Sequence, residues 1–352
     1  MKLIRTIDAE GAVLCHDISQ IIKGVTKDAV FRKGHIVTKE DIPVLLSVGK
    51  DQLYVWEQEE GILHENDAAE ILCGMCLGEH MARSQVKEGK IEITAKQDGL
   101  LKVHDKGLKA VNGFGEMMIA SRHGDFAVKK GDKLAGTRII PLVIREDKME
   151  SARRKAMEAS GGRPLLEQKP FVHKKVGIVT TGNEVFYGRI QDTFTPVIQQ
   201  KLAEFDTEVI DHVTWNDDDK KVTATILNMI EKGADVVVCT GGMSVDPDDK
   251  TPLAIKNTGA RIVSYGAPVL PGAMFLLAYY EVQEEGHERT VAVMGLPGCV
   301  MYAKRTIFDL VLPRVMADDE VFAEELAALG QGGLCLNCET CTFPNCGFGK
   351  GR

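Results

Sequence analysis

The sequence is short of long apolar runs, of aromatic residues and of excess positive charge, and each shortage closes off a class of protein. Its longest apolar stretch, 267–280, is interrupted by Pro268, Pro271 and Gly272 and falls short of the roughly 20 residues a helix needs to span a bilayer. No membrane association is expected. Aromatics make up 6% of 352 residues, and 43 Lys and Arg are outnumbered by 51 Asp and Glu, a formal charge of −8. That balance argues against a nucleic-acid surface, which needs a basic patch. An anionic ligand would instead be held by local dipoles. The opening MKLIRTIDAEGAVL reaches Asp8 and Glu10 before any apolar run forms, so the expectation is a cytoplasmic chain without a signal peptide. There is no P-loop and no G-x-G-x-x-G, which removes the usual signs of ATP hydrolysis and dinucleotide binding. Cysteines number nine, an odd count with four crowded near the end. This reads as reduced thiols plus a metal site, not a disulfide framework.

What is present is a soluble globular composition, 44% hydrophobic and 27% charged, in a chain long enough for two or three domains at roughly 150 residues each. Residues 1–56 alternate short strands and turns. There Thr38 and Asp41 resemble a capping box, opening a helix that should stop at Gly49 before a strand from Gln52 to Trp56. Residues 57–150 open with a helix capped at Asn66 or Asp67 and turn to alternating β-patterns around Asp98 and Gly99. This suggests a small β-rich α+β domain. A charged helical linker is expected over 151–172, closed by Gly161, Gly162 and Pro164.

From 173 to 317 the texture changes to continuous apolar strands, VGIVTT and ADVVVCT among them, separated by amphipathic helices. Such strands are buried on both faces, so the fold class is α/β, a mostly parallel sheet with helices on both faces. Ligands in such sheets bind at the carboxyl ends of strands. Three glycine-bearing loops fall at such ends: 180–184 (TTGNE), 240–249 (TGGMSVDPDD) and 295–298 (GLPG). Glycines let backbone N–H groups approach a ligand and helix N-termini add positive charge, so phosphate is the natural occupant; the alternative is that each glycine only serves a tight turn. Glu184, Asp192, Asp217, Asp218, Asp219, Asp246, Asp248 and Asp249 surround the same edge. Carboxylates beside phosphates point to Mg²⁺, although Asp217 to Asp219 and Asp249 also read as helix caps. The stretch G-M-S-V-D at 242–246 lacks the final glycine of a nucleophile elbow. Cys73 and Cys76 share a helical face and read as core.

Taken together over 175–316, T-G-N-E, Gly188, Asp192, the acidic turn at Asp218, T-G-G-M-S-V-D-P-D-D-K-T-P, Pro271-Gly272 and L-P-G resemble the molybdopterin-binding domain of the molybdenum-cofactor biosynthesis family, the gephyrin-type molybdenumtransferases and adenylyltransferases. Phe31 to Gly49 also resembles the first domain of the transferase. The resemblance implies molybdopterin or its adenylylated form as ligand, and molybdate insertion with AMP release helped by Mg²⁺. It implies that Gly182, Gly241, Gly242, Ser244 and Gly298 cradle phosphate or pterin, with Thr181, Asn183, Glu184, Asp192 and Pro297 beside them. Asp218 and Asp249 would be the catalytic acids. A homodimer and a molybdoenzyme recipient follow from the resemblance alone. Asn183 stands where the family has Asp, Cys299 and Val300 where the transferase has Asn-Pro, and a cysteine tail replaces the usual C-terminal β-domain. These departures support a second expectation, a non-catalytic cofactor carrier, chaperone or sensor.

The acidic and cysteine-rich tail, 318–352, holds Cys335, Cys338, Cys341 and Cys346 in the spacing C-x₂-C-x₂-C-x₄-C. The first three match the ferredoxin run, with one extra residue before the fourth. Zinc usually pairs two C-x-x-C knuckles, so an iron–sulfur cluster is favoured over Zn²⁺ for this site.

Overall fold

Apolar runs punctuated by glycine and proline become, in the computed structural model, two compact units. The structure describes every residue except 1, 23–25, 56–58, 248, 285–286 and 352. Trp56 and Asp248, both named above, therefore lie outside the described residues.

The first unit comprises Met1–Lys96, Val103–Arg122 and Gly131–Glu167. Alternation in Lys90–Ala95 puts Ile91, Ile93 and Ala95 inward, and this strand joins a four-stranded antiparallel sheet in the order Met81–Arg83, Lys90–Ala95, Lys133–Ile139, Met117–Ser121. The strands flanking Asp98 and Gly99 do not pair with each other; Gly99–Val103 pairs with Phe126–Val128 instead. Ahead of these strands lies the helix Glu65–Cys76, capped by His64, whose ring nitrogen accepts from the Asn66 N–H. It is shorter than the apolar pattern suggests because Leu77 turns extended and Met81–Arg83 is a strand. Cys73 and Cys76 are buried in its inner face. Burial pushes the Cys73 thiol up to about 11, so both serve as packing, not as ligands. The charged run Glu146–Ser160 is helical, and its apolar stripe of Met149, Ala152 and Ala156 is buried beside the helix Asp105–Asn112. Asp41 accepts from the backbone and hydroxyl of Thr38, at 2.8 and 2.9 Å, ahead of the helix Asp41–Ser47.

The second unit, Gln97–Lys102, His123–Lys130 and Gln168–Arg352, is built on a six-stranded sheet. Its elements are β1 (Lys174–Thr181), α1 (Asn183–Phe186), α2 (Phe194–Leu202), β2 (Thr207–Trp215), α3 (Asp219–Glu231), β3 (Val236–Thr240), α4 (Thr251–Asn257), β4 (Arg261–Tyr265), β5 (Leu276–Glu284), β6 (His287–Leu296) and α5 (Ile307–Met316). The strand order is β2-β1-β3-β6-β5-β4. Strands β2, β1, β3 and β6 are mutually parallel, and β5 runs antiparallel to both β6 and β4. All five residues of β3 are buried, as a central strand covered on both faces requires. Val176, Ile178, Val236 and Val238 pack with Ile198 and Leu202 of α2 and with α5. Val179, Val237 and Cys239 face the other way, against α3 and α4. Each fully buried Val or Ile contributes about 1.5–3 kcal/mol, so the sheet is a rigid platform for the loops at its edge. Helix α5 begins at Ile307, where Thr306 and Asp309 form a capping box. Among the described residues, no helix is long and apolar enough to cross a membrane.

Candidate functional site

Parallel pairing brings Thr181 beside Trp215, Thr180 beside Thr240 and Thr240 beside Leu296. The four strands β1, β2, β3 and β6 therefore end along one carboxyl edge, and all three glycine loops leave from it. In the first loop Gly182 has φ 139° and its N–H donates to the Trp215 carbonyl at 3.2 Å. Asn183 N–H donates to Asp217 Oδ2 at 3.2 Å, tying the loops after β1 and β2 together. Glu184 is exposed.

The loop after β3 is pinched at its base. Thr181 Oγ1 donates to the Thr240 carbonyl at 3.3 Å and pairs with the Thr251 hydroxyl at 3.0 Å, and Thr251 N–H donates to the Gly242 carbonyl at 3.1 Å. Thr181 is thus buried and internally bonded, a brace for the loops. At Gly241, φ is 82° and a Cβ would fall 2.0 Å from the Thr181 carbonyl oxygen, so the crossing of the two loops alone demands glycine there. Beyond the pinch Ser244 and Val245 stand exposed, Val245 at 86%. Asp249 lies back at the base, where burial and then the Asp249 charge raise the Tyr265 phenol; Tyr265 donates to the Met243 carbonyl at 3.1 Å.

Gly298 is different. It is exposed, follows buried Pro297, and a Cβ added to it would meet no heavy atom within 4 Å. No packing demand explains a glycine here, whereas close approach of a ligand would.

The acids divide by what already holds them. Asp192 Oδ1 accepts from the N–H groups of Phe194 (2.8 Å) and Thr195 (3.1 Å), and Oδ2 from the Thr195 hydroxyl (2.6 Å). Thr195 in turn meets Thr180 at 3.0 Å and His212 Nε2 at 3.1 Å. Burial works to raise the Asp192 carboxyl, but these hydrogen bonds and the His212 ring hold it below the usual carboxylate range. It anchors the start of α2. Asp218 caps α3, accepting from Lys220 and Lys221 N–H at 3.2 Å each, and the Lys221 N–H bond leads the causes that lower its pKa. Both are ionised carboxylates with structural work to do.

Two residues at this edge were not singled out by sequence reasoning. The side-chain oxygen of Asn216 is buried without a hydrogen-bond partner among the described residues, and a buried acceptor left unmade costs about 1–3 kcal/mol. Its signal in the sequence was only a polar residue ahead of three aspartates. Trp215, at the end of β2, stacks on Phe186 with centroids 6.1 Å apart. Among the described residues, no three His, Cys, Asp or Glu side chains converge as a metal cage. A hard cation at this edge would have to draw on ligand phosphates as well as protein, as Mg²⁺ usually does.

This unit is an α/β domain whose mostly parallel sheet gathers three glycine loops on its carboxyl edge, and residues 177–317 match the family described as "Probable molybdopterin binding domain". Residues 3–57 match a domain of unknown function. A molybdopterin adenylyltransferase of Pyrococcus furiosus is 29% identical over 137 residues, which are 37% of this chain and 80% of that protein. A CinA-like protein of Mycobacterium tuberculosis is 36% identical over 80 residues, 23% of this chain; the match spans 19% of that relative's length. Among solved structures, the tungsten cofactor synthesizing protein MoaB of Pyrococcus furiosus is 22% identical, covering 42% of this chain and 98% of its own, with a TM-score of 0.34.

Proposed function

We propose that the second unit binds molybdopterin, or its adenylylated form, at the carboxyl edge of β1, β2, β3 and β6, and that the protein acts in molybdenum-cofactor biosynthesis by inserting molybdate with release of AMP. The observation that carries this reading is Gly298: an exposed glycine free of packing demand, at the third loop of an edge whose domain matches the molybdopterin-binding family. Backbone N–H groups around Gly242 and Gly298 would take the terminal phosphate, as turn amides do for anions. Asn216 Oδ1 would accept from an amino or ring N–H of the pterin, making the bond it lacks. Asp249 is the acid at the base of the second loop, and with Asp218 it would hold a Mg²⁺ shared with the phosphates. Such an ion neutralises charge that develops as the phosphoanhydride breaks. A homodimer and a molybdoenzyme recipient complete the proposal.

The engagement of Asp192 by Thr195 and of Asp218 by its helix favours a second reading, a carrier, chaperone or sensor that binds the cofactor without turnover. Anaerobic incubation of the whole protein with adenylylated molybdopterin, molybdate and Mg²⁺ separates the two. Molybdate-dependent AMP release, lost in Asp249→Ala, supports the transferase. Tight binding without AMP selects the carrier, and absence of binding overturns both.

A further inference from the structure

The tail carries four cysteines, and their placement says more than their spacing. Cys335, Cys338, Cys341 and Cys346 are all free thiols, and all four line one cavity of about 590 Å³. Residues 335–348 contain no helix or strand, so regular backbone pairing does not set their path. The ends of the segment are tied: Cys335 N–H donates to the Leu270 carbonyl at 2.8 Å, and Gly349 N–H to the Gly332 carbonyl at 3.0 Å. Cys335, Cys346 and Phe343 pack against the main core of the second unit, and Phe348 is part of it. Cys338 and Cys341 are exposed. The cavity thus has a dry wall carrying two thiols and an open side carrying the other two.

The size of the group that fits follows from the same geometry. Four thiolates on one Zn²⁺, each at about 2.3 Å, must crowd within about 4 Å of one another. Among the described residues no three His, Cys, Asp or Glu side chains gather as a single-ion site, while all four cysteines line the one cavity. Thiolates on an iron–sulfur cluster bind separate iron atoms and stand further apart. A cluster held by four thiolates carries net negative charge, and Lys304 supplies a cation at the cavity wall, its Nζ donating to the Glu339 carbonyl at 2.8 Å. Arg305, also on the wall, is already paired with Glu204 and Asp309.

We propose that Cys335, Cys338, Cys341 and Cys346 hold an iron–sulfur cluster of the four-iron type. Assembly from two ferrous ions, two ferric ions and four sulfides replaces four S–H bonds with four Fe–S bonds and releases four protons, with no change in oxidation state of the thiols and no further oxidant. The cavity wall includes Tyr302 and Lys304, which follow the turn Gly298–Met301, so the cluster sits where the chain leaves the third glycine loop. The proposal stands independently of what that loop binds.

The test uses the full chain, purified anaerobically and incubated with equal amounts of ferrous and ferric iron and with sulfide, and in a parallel arm with Zn²⁺ alone. The expected result is about four iron and four sulfide per chain, a broad visible charge-transfer band, and a paramagnetic signal after reduction with dithionite. Cys338→Ser and Cys341→Ser remove exposed ligands, and each should lower bound iron at least about fivefold while far-ultraviolet circular dichroism stays unchanged. Cys73→Ala, in the first unit, should leave the iron content as it was. Failure to retain iron and sulfide, full retention in the Cys338→Ser/Cys341→Ser double variant, or one zinc per chain with iron excluded would each overturn the proposal.

Discussion

Two glycines at the candidate site make opposite demands, and alanine at each separates folding from binding. Gly241 has φ 82°, and its added Cβ would fall 2.0 Å from the Thr181 carbonyl oxygen. The left-handed backbone costs an L-residue about 1–2 kcal/mol. The clash is with backbone, so β1 and β3 must part at their ends, and a total loss of about 3 kcal/mol or more is expected for Gly241→Ala. Gly298→Ala meets nothing within 4 Å, so its stability should stay within about 1 kcal/mol of the parent, on the stabilising side, through reduced freedom of the unfolded chain. If a ligand packs on Gly298, the same methyl group should weaken its binding at least tenfold, about 1.4 kcal/mol. Urea unfolding measures the first quantity. Anaerobic titration with molybdopterin, followed by quenching of Trp215 beside the site, measures the second. Equal affinity of Gly298→Ala and the parent would refute ligand approach at the third loop, and a Gly241→Ala variant as stable as the parent would refute the steric account of the second.

Three further expectations follow from buried polar groups. Burial would raise the Asp319 carboxyl, but the Arg314 charge and hydrogen bonds from Lys102 and Lys169 carry it from 3.8 down to about 2. A depressed carboxyl contributes stability above its unfolded pKa and loses it as pH falls through the folded one, so about 2 kcal/mol, reduced by screening at the lysines, should vanish between pH 4 and pH 2. Asp319→Asn should flatten that limb in pH-dependent urea melts; an unchanged acid limb would disprove it. Asn216→Ala removes a buried acceptor that has no partner, so stability should hold or rise by up to about 1 kcal/mol while molybdopterin affinity falls; lower stability with unchanged affinity would mark Asn216 as purely structural. Asp192→Asn weakens the anchor of α2 and should cost about 1 kcal/mol, read by thermal melting, with no loss expected if the bonds to Thr195 are incidental.

Much of the second unit was legible because continuous apolar runs can be satisfied only in a sheet covered on both faces. The strands VGIVTT and ADVVVCT and the carboxyl-edge position of the three loops follow from that constraint. Helix starts were harder. Thr306 and Asp309 spell a capping box that places the start of α5, yet the apolar residues before it continue the helical pattern. His64 caps Glu65–Cys76 through its ring nitrogen, a role histidine seldom signals. Around Asp98 and Gly99 the local alternation reads as a hairpin, but Gly99–Val103 pairs with Phe126–Val128. Pairing there is decided by residues far along the chain, which no local pattern contains.

The same limit applies to the acids, and it bears on what the site can do. Glu184, Asp192, Asp218 and Asp249 look alike in sequence, each an acid near a glycine loop. The fold commits Asp192 to Thr195 and the start of α2, and Asp218 to the start of α3. Glu184 is exposed and Asp249 sits at the pinched base beside Tyr265. On the proposed reading the edge would offer a phosphate the N–H groups around Gly242 and Gly298 first, and the carboxylates of Glu184 and Asp249 second. Backbone donors speed a reaction only where they hold the transition state more tightly than the ground state. Under the transferase reading a cation held with Asp249 would supply that preference, and Asp249→Ala is the variant that tests it.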